Sequence, residues 1–419
     1  MNKLNCNHSI IRACVLFFLL AAAAVALPAQ TFTTLHSFGY TDGSSPLGAL
    51  VQGTDGKFYG TTSMGGVDGN YGTVFSITVG GDLTVLLSFN GFNGYNSLAG
   101  LVQGTNGNLY GTTAYGGTSD AGTIFSVAPL DGVAMHHDFC SPSNLECPDM
   151  GADPFGRLVQ AADGRFYGTT YVGGAKTSCT YPSGCGTVFS ITPGAKETLL
   201  HSFDGTDGQL PYAGLVEGMN GTFYGSTFEG GPNAAGTVFS ITAKGAFTTL
   251  HIFDGSDGQW PESTLAWGAD GNLYGTTAQG GPHGGGTVFK ITPDGTFSTL
   301  HAFCYEGGCV SIGSYPVGGV ILGTDGMLYG TTRSGGTGTG CGGFGCGTIF
   351  GITPNGGLTT LYNFNLTTDG EFPSAPLTQG TDGKFYGTTY AGGANDGGTV
   401  FSLSVGLGPF VETNPKPVN

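Results

Sequence analysis

"DGKFYGTT" occupies residues 55–62, and the same eight residues return at 382–389. Between them lie looser copies: "NGNLYGTT" (106–113), "DGRFYGTT" (163–170), "NGTFYGST" (220–227), "DGNLYGTT" (270–277) and "DGMLYGTT" (325–332). Their tyrosines, Tyr59, Tyr110, Tyr167, Tyr224, Tyr274, Tyr329 and Tyr386, are 51, 57, 57, 50, 55 and 57 residues apart. Self-similarity at such a period marks a repeat architecture, and it sets aside the usual division of a 419-residue chain into two or three domains.

Each unit carries two further marks in fixed order. One resembles "TLHSF" and ends at Phe38, Phe89, Phe139, Phe203, Phe253, Phe303 and Phe364. The other resembles "GTVFSIT" and begins at Gly72, Gly122, Gly186, Gly236, Gly286, Gly347 and Gly398. Within one unit "GALVQG" reads as a first strand, an Asp-Gly turn leads to "KFYGTT", a longer loop leads to "GTVFSIT", and a short Gly turn leads to "LTVLLSF". Asp-Gly or Asn-Gly between two apolar runs favours a hairpin, because such turns need positive φ. In "YGTT" the Gly is expected to let neighbouring sheets approach, the Tyr to pack an apolar ring, and the Thr residues to favour extended backbone.

The chain opens on a fourth-strand mark, "TFTTLHSF" at 31–38, and its last repeat mark is the third-strand "GTVFSLS" at 398–404. Joining the two completes a seventh blade. The predicted fold is therefore all-β: a seven-bladed β-propeller of four-stranded blades over residues 31–406, its N-terminal strand completing the last blade.

Composition agrees. Gly supplies 81 residues and the charged types only 10% of the chain, and no helical heptad follows residue 30. Residues 1–30, with Lys3 and Arg12 ahead of "ACVLFFLLAAAAVAL", read as a secretory signal peptide. No later apolar stretch is long enough to span a bilayer, and residues 407–419 form a short tail. Removing the signal takes away two positive charges and moves the formal charge from −16 to −18, which argues against a nucleic-acid partner.

The run "LVQGTDGKFYGTTSMGG" followed by "GTVFSIT" resembles the GloVer repeat family of exported bacterial proteins, over roughly 31–406. The resemblance implies a repeat protein, a propeller, located outside the cytoplasm. Members have no established activity, so it implies no catalytic residues. The tail "VGLGPFVETNPKPVN" is similar to the junction that leads, in relatives, to an immunoglobulin-like module. Free secretion as a monomer is the expectation here.

In such a blade the loop entering the first strand and the loop between strands two and three share one face, and nearly all length variation falls in them. The cysteines outside the signal pair within single loops of that face, as Cys140/Cys147, Cys179/Cys185, Cys304/Cys309 and Cys341/Cys346. In an exported chain this spacing favours four local disulfides over a four-thiolate zinc site. His36, His137, His201, His251 and His301 hold equivalent fourth-strand positions, where Leu87 and Tyr362 stand in other units, which favours a packing or hydrogen-bonding role.

The entry loops "FDGTDGQLP", "FDGSDGQWP" and "TTDGEFP" hold Asp204, Asp207, Asp254, Asp257, Asp369 and Glu371. Turn chemistry accounts for them, with calcium as the competing use; no other cofactor is expected. Aromatic residues flank the Pro that starts most first strands: Phe155, Tyr212, Trp260, Tyr315 and Phe372. Near a channel mouth, with Asp207, Asp257, Glu262 and Glu371 as hydroxyl acceptors, they are candidates for a sugar-binding platform. The leading expectation is a secreted or cell-surface binding module for a glycan or a surface protein. A propeller hydrolase or lyase acting on polysaccharide, using two of Asp153, Asp207, Asp257 and Glu262, is the alternative, and a purely structural surface protein the third.

Overall fold

The computed structural model describes residues 30–128, 132–140, 151–175, 179, 183–305 and 310–410. The signal-peptide reading, Cys147, Cys309 and the end of the tail lie outside the described residues. Among those described, seven four-stranded antiparallel sheets form a propeller, with no α-helix and only two short 3-10 turns, Met219–Gly221 and Val310–Ile312. No helix is long and apolar enough to cross a membrane.

Blade 1 consists of Val51–Gln52, Phe58–Thr62, Thr73–Ile77 and Leu83–Ser88, paired in that order. Blades 2 to 6 repeat the pattern over 102–138, 159–202, 216–252, 266–304 and 320–363. Blade 7 is split: Thr378–Gln379, Phe385–Thr389 and Thr399–Ser404 are completed by the N-terminal Thr31–Ser37, with Thr31 opposite Ser404 and Ser37 opposite Thr399.

The opening octapeptide can be followed atom by atom. Asp55 closes its turn by accepting the Lys57 N–H at 3.2 Å through Oδ1, while its Oδ2 accepts the Tyr59 hydroxyl at 2.9 Å. Gly56 supplies the turn's positive φ of 81°. The same clamp joins Tyr167 to Asp163, Tyr274 to Asp270, Tyr329 to Asp325 and Tyr386 to Asp382, at 2.7 to 2.9 Å. In blade 2 Asn106 replaces the aspartate and donates to the Tyr110 hydroxyl at 3.0 Å.

Gly60 does not open space between sheets, as the motif alone suggests; it makes room inside its own blade. It sits directly opposite Phe75, and a Cβ there would lie 2.6 Å from Phe75 Cζ and 2.8 Å from Leu50 Cδ2. The first Thr pins one blade to the next: Thr61 Oγ1 donates to the Ala99 carbonyl at 3.0 Å, and Thr169 Oγ1 to that of Ala213 at 2.8 Å. The second Thr bonds the third strand of its own blade, Thr62 to Thr73 at 2.9 Å and Thr389 to Thr399 at 2.9 Å.

The apolar core is divided among the blade interfaces. Between blades 1 and 2, Tyr59 and Val74 meet Leu109, Phe125 and Val127. The seam repeats this in kind: Tyr386 and Val400 of blade 7 meet Phe58, Phe75 and Ile77 of blade 1. The closing interface thus buries the same residue types as the continuous ones, which is what a stable ring requires.

Candidate functional site at the loop face and channel mouth

The entry loop and the loop after the second strand do share a face, because they pair with each other. Isolated bridges join Ser44 to Met64, Tyr95 to Tyr115, Gln209 to Glu229, Gln259 to Gln279, Ser314 to Ser334 and Glu371 to Ala391. One residue beyond each bridge the entry chain turns through a left-handed conformation at a non-glycine residue, and blade 3 has the same turn. These residues are Ser45, Asn96, Asp153, Leu210, Trp260, Tyr315 and Phe372, with φ between 54° and 60°. The conformation is held by two backbone bonds, as at Trp260, whose N–H donates to Ala235 at 3.0 Å and whose carbonyl accepts from Ala278 at 2.9 Å. Three of the predicted aromatics therefore sit on strained backbone that the fold fixes at the rim.

The rings around the mouth form one connected arc. Tyr71 meets Tyr95 at 5.5 Å, and Tyr95 meets Tyr115 at 5.5 Å. Tyr115 meets Phe155 at 6.3 Å, Phe155 meets Tyr212 at 5.4 Å, Tyr212 meets Phe228 at 6.5 Å, and Phe228 stacks on Trp260 at 5.4 Å. The arc brings together Phe155, Tyr212 and Trp260. Tyr315 packs instead on Tyr305 at 5.6 Å, and Phe372 lies under the Arg333 guanidinium at 5.4 Å. All of these mouth rings are at least partly exposed.

Inside the arc lies the central channel, a cavity of about 430 Å³ lined by the first-strand segments of all seven blades. Its walls are mostly apolar, interrupted by Arg157, Tyr212, Glu262 and Arg333. Burial pushes the Glu262 carboxyl up to about 7, against the opposing pull of Arg333. Tyr212 is pushed up to about 12, by burial first and then by Glu262.

A second concavity, about 560 Å³, opens on the same face at blades 1 to 3 and is lined in part by Tyr95, Tyr115, Asp120 and Asp153. Asp153 is pushed up to about 7 by burial, with the charge of Asp120 adding to the effect. Asp120 also accepts the Gly116 N–H at 3.0 Å.

The other predicted carboxylates are held in the scaffold. Asp207 and Asp257 bond His201 and His251 at 2.8 Å, and Asp42 bonds His36 at 2.7 Å. In blade 7 Asp369 accepts the Tyr362 hydroxyl at 2.7 Å. His201 and His251 stack in turn on Phe247 and Phe297 of the following blades, at 3.9 and 3.8 Å. Asp204 Oδ1 accepts the Thr206 backbone N–H at 3.0 Å, an Asx turn of the kind expected ahead of glycine, and the Thr206 hydroxyl at 2.6 Å. Glu371 stands at the rim, its carboxyl raised by burial and then by Asp396. Among the described residues no three His, Cys, Asp or Glu side chains converge as a metal would require.

Disulfides join Cys179 to Cys185 and Cys341 to Cys346, with Cα separations of 5.4 and 5.3 Å. Cys140 and Cys304 are also disulfide-bonded. Sequence reasoning missed Tyr71, Tyr95, Tyr115, Phe228, Asp120, Arg157 and Arg333. For three of them the signal lay just after "YGTT", where Tyr115 follows one place on in blade 2, Phe228 follows directly in blade 4 and Arg333 in blade 6.

The Gloeobacter/Verrucomicrobia repeat model matches three overlapping stretches, residues 23–181, 175–342 and 310–414. The chain belongs to the Gloeobacter/Verrucomicrobia repeat family. No curated protein matches the sequence. Among solved structures, this family member is similar to the extracellular domain of a candidate hybrid two-component system from B. thetaiotaomicron. The TM-score is 0.54 at 11% identity, over 89% of this chain and 40% of that one, so this chain spans less than half of that protein's length. It is also similar to a candidate 6-phosphogluconolactonase from Bacteroides uniformis, with TM-score 0.50 at 15% identity over 79% of this chain and 89% of that one. At these identities the likeness concerns the fold.

Proposed function

We propose that this repeat-family propeller is an extracytoplasmic binding module whose loop face takes a glycan. The observation that carries the reading is the connected arc from Tyr71 to Trp260. Five blades contribute rings to it at positions that the scaffold leaves free to vary, and sugar rings stack on such partly exposed aromatic faces. Disulfides within loops of that face suit an oxidising compartment, and one of the fold neighbours is itself an extracellular domain. A glycan array with the secreted protein tests the reading, with Trp260→Ala and Phe155→Ala beside the wild type. Binding that falls about tenfold or more in both variants supports it, since an aromatic removed from a contact centre commonly costs over about 1 kcal/mol. Unchanged affinity in both variants removes the aromatic arc as the site, and no saccharide bound favours a purely structural surface protein.

A second reading, a hydrolase or lyase, is favoured by one observation: the Asp153 carboxyl, near 7, beside Asp120 in the groove at blades 1 to 3. A carboxylic acid poised near neutrality with a second carboxyl group beside it suits general acid catalysis. Product analysis on bound polysaccharides decides it. Chain shortening that disappears in Asp153→Asn supports catalysis, and binding without products returns the assignment to the binding module.

A further inference from the structure

We infer that the central channel is an oxyanion site, and that the saccharide taken at the loop face is acidic, with a carboxylate seated on Arg157. This deepens the glycan reading and rests on it. The first strands supply the argument. The residue three places after the start of each "PLGAL"-type segment is Ala49, Gly100, Gly214, Thr264, Gly319 or Pro376 in six blades, and Arg157 in the remaining one. The scaffold is satisfied there by small residues, so a guanidinium in the channel wall is not a requirement of packing.

Arg157 is also poorly provided for by the protein. Its Nε is buried and has no hydrogen-bond partner, and no ion pair to it occurs among the described residues. The residue as a whole is partly exposed and lines the channel, and a partly desolvated charge left unpaired still carries a cost that a counter-ion or a ligand relieves. Channel residues with charge are two arginines, Arg157 and Arg333, against one carboxyl, Glu262, which is itself near half-protonation at neutral pH. The chain as a whole has a formal charge of −16, so this local positive excess runs against the general field. A guanidinium binds a planar carboxylate through two parallel N–H donors, and in Arg157, whose Nε is buried, the two terminal nitrogens are the ones that can supply them to the channel. Apolar walls strengthen that contact by excluding water. Phe155, two residues before Arg157, belongs to the aromatic arc and lines the same cavity as Arg157, which puts the arc and the guanidinium on one continuous surface.

Calorimetric titration tests the assignment with three probes: an oligogalacturonate, its fully methyl-esterified form, and a neutral cello-oligosaccharide. A sulfated galactan oligosaccharide in a fourth arm separates sulfate from carboxylate as the oxyanion. The expected result is at least tenfold tighter binding of the oligogalacturonate than of its ester, a preference that Arg157→Met abolishes. Because removing a partly desolvated, unpaired charge relieves a cost, Arg157→Met keeps or raises the melting temperature, which separates lost recognition from lost fold. Equal binding of acid and ester, or an acid preference that survives in Arg157→Met, overturns the inference and leaves the glycan reading intact. If no oligosaccharide binds but free glucuronate raises the melting temperature of wild type and not of Arg157→Met, the glycan reading fails and the oxyanion site stands. No response to any probe overturns both.

Discussion

The two faces of the ring obey different rules. On the turn face each blade repeats one solution: an Asp or Asn in the hairpin, a Gly at positive φ, and a Tyr whose hydroxyl returns to the turn in the blades where the clamp forms. On the loop face the backbone repeats just as closely, down to a left-handed residue in every blade, but the side chains do not. Two residues after that left-handed position stand Leu47, Leu98, Phe155, Tyr212, Glu262, Val317 and Ser374 in turn. Seven copies in equivalent surroundings act as their own control. Where packing decides, they agree, and where they differ although the backbone agrees, something other than folding has chosen the residues.

The comparison predicts that damage to the repeated features is severe. Removing Thr31–Ser37 exposes the Thr399–Ser404 edge and the seam core, and the expected outcome is loss of the folded monomer, seen by size-exclusion chromatography and melting. A truncated chain that stays monomeric with the wild-type melting temperature breaks the closure argument. Next in size, Gly60→Val pushes against Phe75 and Leu50 and is expected to destabilise by about 3 kcal/mol or more, read from urea unfolding.

Glu262 tests the other face. Its folded carboxyl is raised to about 7, so the unfolded chain ionises first as pH rises. The wild type then loses stability between about pH 4 and 7, because each pH unit separating the folded and unfolded midpoints costs about 1.4 kcal/mol. Glu262→Gln is expected to match wild type at pH 4 and to be more stable, by up to about 3 kcal/mol, at pH 8. Identical pH profiles would mean that the channel does not desolvate this group. Smaller still, Tyr386→Phe removes only the bond to Asp382 and should cost about 1 kcal/mol. Trp260→Ala, at the partly exposed rim, should cost no more than that, although it is the larger truncation. A Trp260 variant that melts like Gly60→Val would erase the distinction between the faces.

The fold was legible because its determinants are local. The Asp-Gly turn, the Tyr-Gly-Thr-Thr strand and the two partial marks at the ends each specify structure over a few residues, and repetition removes ambiguity about register. The mouth was half legible. Phe155, Tyr212 and Trp260 announce themselves beside the strand-initiating Pro, but Tyr115 and Phe228, which link them, come from another loop of the blade. The bridges that align the two loops are invisible in the sequence. Asp207 and Asp257 looked available for a ligand because nothing local reveals that their oxygens meet a histidine six positions earlier. Arg157 was missed for a different reason: a single charged residue in an apolar strand attracts notice only when the copies are laid over one another in space.

The split blade has a consequence for how the molecule is made. Ser37 accepts a hydrogen bond from the Ala394 N–H, 357 residues away in sequence. Every other blade can form as its own residues emerge, from contacts local to that unit, whereas the ring cannot shut until its final strands are present. Closing so long a loop is entropically slow relative to hairpin formation. Newly made chains must therefore pass through an open, crescent-shaped stage in which the two seam surfaces are bare. The rate of that last docking, rather than the folding of any blade, sets how long the protein is vulnerable to proteases and to self-association.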